Sequence, residues 1–137
     1  MLVLALVGGL GLVAWLELRS VDPIETGPEI TYKASQVRVI DGDTLEVAGE
    51  VVRIANIDTP EMPPKAQCAR EASGARQATA RLEHLARQGG LSLERTGVDR
   101  YGRTLAYVEV RGADVGQTLI RSGLARPWEG RRRSWCD

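Results

Sequence analysis

At 137 residues the chain has the length of one domain, enough to bury a core without staples. Its 18 Lys and Arg residues balance its 18 Asp and Glu residues, which removes any net-charge argument for a polyanionic partner. Phe is absent, so the core must rest on Val, Leu, Ile and Ala. Charge is nevertheless unevenly spread: through Glu61 acids outnumber bases by 10 to 4, and beyond it bases outnumber acids by 14 to 8. The later part can therefore supply a phosphate-facing surface, although Arg76, Arg81 and Arg87 read as solvated helix residues.

Residues 1–16 carry no charge, are rich in Leu, Val and Gly, and end at Trp15-Leu16 before Glu17 and Arg19. With Leu18 the run is just long enough to span a membrane or to serve as a signal-peptide core. It lacks the polar face of a globular helix. No Lys or Arg precedes it and no clean small-x-small cleavage site follows, whereas Trp15 suits an interfacial anchor. The expectation is an N-terminal hydrophobic helix within residues 1–19, anchoring the chain through residues 1–18 or acting as an uncleaved signal. Residues 20–34, with Pro23, Gly27 and Pro28, read as a linker. The folded domain is then 35–137, membrane-anchored or secreted and outside the cytoplasm.

Val37, Val39, Leu45 and Val47 alternate with polar neighbours, as half-buried strands do. Between them lies Asp41-Gly42-Asp43-Thr44, a turn signal that also brings carboxylates together. Ala48-Gly49-Glu50 is a hairpin connection, and Val51 to Ile57 is the expected central strand. Pro60 extends Thr59 and cannot join a sheet ladder, so that strand stops near Asp58. Arg53 on a buried strand calls for a partner or an anionic ligand. The loop with Pro63 and Pro64 follows Glu61 directly. Ala69 to Arg87 is helical, with Ala72, Ala75, Ala78, Thr79, Leu82, Leu85 and Ala86 along one face. His84, the only histidine, falls on the polar side and is not taken as a base. Leu91 to Leu93 is a short strand. Asp99-Arg100-Tyr101-Gly102-Arg103 is a basic turn before a strand over Thr104 to Val110. Asp114 to Ser122 is a second helix that Gly123 stops. Strands, helix, strands and helix make an α+β domain.

Three stretches hold an inventory suited to metal-assisted phosphodiester cleavage: paired carboxylates for a hard cation, a third acid, and arginine forks for phosphate. They are Val-Ile-Asp-Gly-Asp-Thr (39–44), Val-Arg-Ile-Ala-Asn-Ile-Asp-Thr-Pro-Glu (52–61) and Asp-Arg-Tyr-Gly-Arg-Thr-Leu-Ala-Tyr-Val (99–108). With Leu-Ile-Arg-Ser-Gly-Leu-Ala (119–125), they closely resemble the staphylococcal nuclease (thermonuclease) family from about Gln36 to about Arg126. The resemblance implies a small five-stranded OB-type β-barrel with packed helices. It makes Asp43 and Asp58 the carboxylates that bind Ca²⁺, and Thr59 the donor of a backbone carbonyl. Glu61 matches the acid that orients or deprotonates the attacking water, and Arg53 and Arg103 match the arginines on the phosphate. Arg100 and Tyr101 fall beside the nucleotide. The implied activity is calcium-dependent endonucleolytic hydrolysis of DNA and RNA, single strands preferred, leaving 3′-phosphate ends, by a monomer.

The competing reading is a non-catalytic nucleic-acid-binding OB-type module tethered to the membrane; such a module has no need of Glu61 beside a carboxylate pair. A tethered interaction domain with a structural Ca²⁺ is a third. The tail from Pro127 to Asp137 is short beside the final helix of the staphylococcal prototype. It carries Arg131-Arg132-Arg133, Trp135 and Trp128, the last able to stack a base or to pack over the barrel end. Cys68 and Cys136 are the only cysteines. A disulfide tying tail to body suits an exported chain, two free thiols are the alternative, and a Cys-Cys-His metal site does not suit the spacing.

Overall fold

Alternating apolar side chains build a three-stranded meander first. In the computed structural model, which describes residues 27–137, β1 (Val37–Asp41), β2 (Thr44–Val47) and β3 (Glu50–Ile54) pair antiparallel in succession. Leu45, Val47, Val52 and Ile54 are fully buried from this meander. Ala48 and Gly49 both take positive φ, 47° and 86°. That is the combination a two-residue hairpin loop needs to match strand twist.

The strand expected over Val51 to Ile57 is not continuous. β3 ends at Ile54, Ala55 and Asn56 turn, and Ile57–Asp58 form a separate β4. The cause is side-chain competition for the backbone: the Arg53 guanidinium donates to the carbonyls of Ile54 (2.9 Å) and Ile57 (3.2 Å). Trp128 N donates to the Asn56 carbonyl at 3.0 Å. With its polar groups satisfied off the ladder, the chain bends, and β4 pairs with β8 (Arg126–Pro127) instead of the main sheet.

After the loop comes α1 (Ala69–Ala86), capped by the Cys68 sulfur, which accepts from Glu71 N at 3.4 Å. It buries Ala72, Ala75, Ala78, Leu82, Leu85 and Ala86, the expected apolar face, but also Glu71. Thr79 is half-buried and His84 exposed. β5 (Leu91–Val98) runs well beyond the three residues expected and pairs antiparallel with β6 (Thr104–Val110). β6 lies parallel to β3, giving the order β1-β2-β3-β6-β5, with β7 (Ala113–Asp114) added to β6. α2 (Val115–Arg121), N-capped by Asp114, packs on β6 and α1.

The class is mixed α+β, and the parallel β3–β6 pair within an otherwise antiparallel sheet is OB-like. Closure is looser than the expected barrel. Among the described residues, β1 and β5 share no ladder, and the segment before β1 latches to β5 through Tyr32, which exchanges two backbone hydrogen bonds with Leu91 (2.7 and 3.1 Å). The core is Leu, Val, Ile and Ala, centred on Leu45, Ile54, Ile57, Leu82, Leu91 and Leu119; burying each such side chain contributes about 1.5–3 kcal/mol. The hydrophobic helix expected within residues 1–19 lies outside the described residues, among which no helix is long and apolar enough to cross a membrane.

Candidate active site

The β2–β3 register sets Thr44 directly opposite Arg53. This brings Asp43, just before Thr44, to 3.5 Å from the Arg53 guanidinium. Thr44 Oγ1 donates to Asp43 Oδ1 at 2.9 Å, and Asp43 N donates to Asp41 Oδ1 at 3.1 Å. Gly42 makes the turn possible. A Cβ there would lie 2.8 Å from the Ala78 Cβ on α1 and 3.1 Å from Thr59 Oγ1. The turn is therefore pressed against both α1 and Thr59, which joins the first motif to the second. Burial, and then the adjacent Asp43, push the Asp41 carboxyl up to about 6.

Asp58 and Thr59 are buried. Burial raises the Asp58 pKa, with a further push from Asp43, against the opposing pull of Arg132, Trp135 and Arg126. Glu61 lies just beyond Pro60, its backbone N donating to Glu71 Oε1 at 3.1 Å and its carboxylate paired with Arg132. From the third motif, Arg103 Nε donates to Asp99 Oδ2 at 2.7 Å, and its NH1 reaches Thr44 Oγ1 at 3.5 Å. Burial works against the Asp99 charge, but hydrogen bonds from Arg103 and from the Arg103 and Tyr101 amides outweigh it and hold the carboxyl below its ordinary value.

The structure thus brings together Asp43, Arg53, Asp58, Thr59, Glu61 and Arg103, with Thr44 as the hydroxyl between Asp43 and Arg103. Arg100 and Tyr101 stand further out: Tyr101 is 69% exposed, and the guanidinium carbons of Arg100 and Arg103 lie 4.8 and 5.5 Å from its ring centre. Trp128, half exposed, has the Arg53 guanidinium 5.3 Å from its ring centre, so it both covers the end of β3 and offers an aromatic edge beside a phosphate-binding candidate.

The donor set suits a hard divalent cation. The Asp43 charge adds to burial in raising the Asp58 pKa, and half-buried Asp41 adds a third carboxyl beside Asp43. Mutually repelling carboxylates in a half-buried site are what a bound dication relieves. Among the described residues no three His, Cys, Asp or Glu side chains converge as a cage. A hollow of about 300 Å³ is lined by Glu71, Trp135 and Pro60 but by none of Asp43, Arg53 or Arg103.

Sequence reasoning gave no site role to several residues that touch this cluster. Arg126 Nε and Arg132 NH2 lie 3.7 and 3.8 Å from Asp58 oxygens, and Trp135 Nε1 donates to Asp58 Oδ2 at 3.2 Å. Arg126 also stacks on Trp135 at 3.7 Å. Arg126 arrives as the ladder partner of Asp58 in the β4–β8 pair; Arg132 and Trp135 lie in the tail that the Cys68–Cys136 disulfide ties back to the start of α1. The signal was the cysteine pair itself: a bridge from Cys68 places the tail three residues from Glu71.

Fold and site together define a small OB-like domain with a carboxylate pair, a neighbouring glutamate and two arginines near one another. A family model described as "Staphylococcal nuclease homologue" matches residues 51–134, and the chain belongs to that family. It is 41% identical over 96 residues to endonuclease YncB of Bacillus subtilis, covering 65% of this chain and 44% of the relative. It is 38% identical over 104 residues to the thermonuclease of Staphylococcus hyicus, covering 72% and 59%. A third relative, 38% identical over 94 residues and covering 66% and 49%, is the succinoglycan biosynthesis protein ExoI of Rhizobium meliloti. The chain spans about half the length of these relatives.

Proposed function

We propose that the protein is a calcium-dependent, relatively non-specific endonuclease that hydrolyses DNA and RNA, prefers single strands and leaves 3′-phosphate ends. The observation that carries this reading is the meeting of Asp43, Asp58, Glu61, Arg53 and Arg103 in one cluster. Membership of a family whose named relatives include an endonuclease and a thermonuclease supports it.

Ca²⁺, held by Asp43, Asp58 and the Thr59 carbonyl, would supply positive charge beside the phosphate and order water. The chain's own residues do the rest. Arg53 and Arg103 hold the phosphate and offset charge growing on its oxygens. Glu61 orients water and accepts its proton. A P–O bond forms from that water and the P–O5′ bond breaks, the departing 5′ oxygen taking a proton from solvent, so that phosphate stays on the 3′ side and a 5′ hydroxyl is released. Arg100 and Tyr101 contact the flanking nucleotide, Tyr101 by stacking. Enzymes in this class must lower the barrier by on the order of 20 kcal/mol, more than one group supplies, so these parts act together.

We place the protein outside the cytoplasm, membrane-anchored or secreted, acting as a monomer. The Cys68–Cys136 bridge supports an oxidising compartment. The test is incubation of the full chain with heat-denatured DNA, with Ca²⁺ or with a chelator, beside Glu61→Gln. Calcium-dependent cutting that the variant largely loses is the expected result. A folded, Ca²⁺-loaded protein that does not cut overturns the reading in favour of a binding module.

A further inference from the structure

Glu61 sits on a loop, where a carboxylate is held less firmly than on a strand. Two supports correct this. Glu71, buried on α1, accepts from Glu61 N at 3.1 Å and from Gln67 N at 2.8 Å, so one carboxylate pins both ends of the loop. The Glu61 carboxylate is itself held by Arg132 NH1, while Arg132 NH2 lies 3.5 Å from the Thr59 carbonyl and 3.8 Å from both Asp58 Oδ1 and Glu71 Oε1. A planar guanidinium fork spans these oxygens as a flexible ammonium does not.

Arg132 reaches this place from the far end of the chain, and the tail is fastened on both sides of it. Before it, Arg126 pairs with Asp58 and donates to the carbonyls of Arg133 and Ser134 (2.6 and 3.0 Å). After it, Cys136 is bonded to Cys68, the cap of the helix that carries Glu71. The clasp therefore joins the two elements that hold Glu61, one through its amide and one through its carboxylate.

We propose that Arg132 is a positioning residue for Glu61, and that the Cys68–Cys136 clasp serves catalysis by holding Arg132 in place, as well as stabilising the fold. The proposal rests on the nuclease reading for its kinetic consequence but not for its geometry. The experiment compares full-chain wild type, Arg132→Ala, Arg132→Lys and the Cys68→Ser/Cys136→Ser double variant, by steady-state cleavage of single-stranded DNA with Ca²⁺ and by amide hydrogen exchange. Arg132→Ala should lower kcat by about 10- to 100-fold with KM nearly unchanged, as losses of outer supports do. Exchange should quicken over residues 59–67 while β5 and β6 keep their protection. Arg132→Lys should recover part of kcat, and the double cysteine variant should reproduce the local quickening. In Arg132→Ala, a merely structural role would instead loosen β5 and β6 as well. Unchanged kcat with unchanged exchange over 59–67 overturns the proposal. So does a rise in kcat on removing Arg132, which would make the arginine an obstruction to the cation. If the wild type does not cut, the nuclease reading falls by itself, and exchange over 59–67 alone decides whether Arg132 positions the loop.

Discussion

The two ends of the acidic cluster are held in different ways. The Asp43 end is held by the sheet: the Thr44–Arg53 register, the Asp43–Arg53 pair, and a glycine turn pressed on α1 and Thr59. Apart from α1 and Arg103, which reaches Thr44, its partners come from residues 41–59. The Glu61 end is held by side chains from α1 and the tail, with Arg132 lying 71 positions further on and a disulfide fastening the two. The first end is part of the meander that builds the domain. The second exists only after the chain has closed on itself, so it should yield first to reduction or mutation.

The sharpest test of the sheet-held end is Arg53→Ala. It removes the proposed phosphate fork and the two bonds that tie off the Ala55–Asn56 turn. Cleavage should fall by about 10²–10³-fold, measured as kcat/KM on single-stranded DNA. The tail-held end is broken instead by Cys68→Ser/Cys136→Ser, which should lower unfolding free energy by about 2–4 kcal/mol. Urea denaturation measures that loss, and reduced wild type should match it.

Gly42→Ala probes the junction where the two motifs meet. An added methyl must displace Ala78 or Thr59, so about 1–3 kcal/mol of destabilisation is expected, with weaker Ca²⁺ binding by calorimetry. If stability is unchanged, the turn has room to shift and the sheet-held end is less rigid than its contacts indicate. The smallest effect belongs to a control at the start of β3, in contact with neither Asp43 nor Glu61. Glu50 accepts from Arg95 (2.6 and 2.9 Å) and Thr104 (2.8 Å), and these bonds hold its carboxyl down at about 2 against an ordinary 4.5. Because its folded value is depressed, the stabilisation is full above about 4.5 and is lost as pH falls toward 2. Exposure of the pair limits the effect, so Glu50→Gln should cost about 1 kcal/mol at pH 7. Wild type and variant should converge in urea melts taken near pH 2.

The meander, α1, β6 and α2 were legible because each rests on a local period or a cap: alternation at Val37 to Val47, the Ala72-to-Leu85 face, and Asp114 before Val115. Two misjudgements have a common cause. The strand over Val51 to Ile57 breaks because Arg53 satisfies backbone carbonyls beyond it, and β5 runs longer because β6 pairs with it through Val98. In both cases a partner distant in sequence, or a side chain acting on the backbone, overrode the local pattern.

The site divides along the same line. The family was legible in the sequence alone, and so were the candidate carboxylates and arginines, because they sit in short motifs whose spacing is fixed by turns and strands. Only the tertiary structure decided that Glu71 is buried as a clamp and that Arg126, Arg132 and Trp135 meet Asp58. Those contacts depend on chain closure, with no local pattern to record them: of the three consecutive arginines only Arg132 meets Asp58 and Glu61, from a tail that a disulfide fastens to α1.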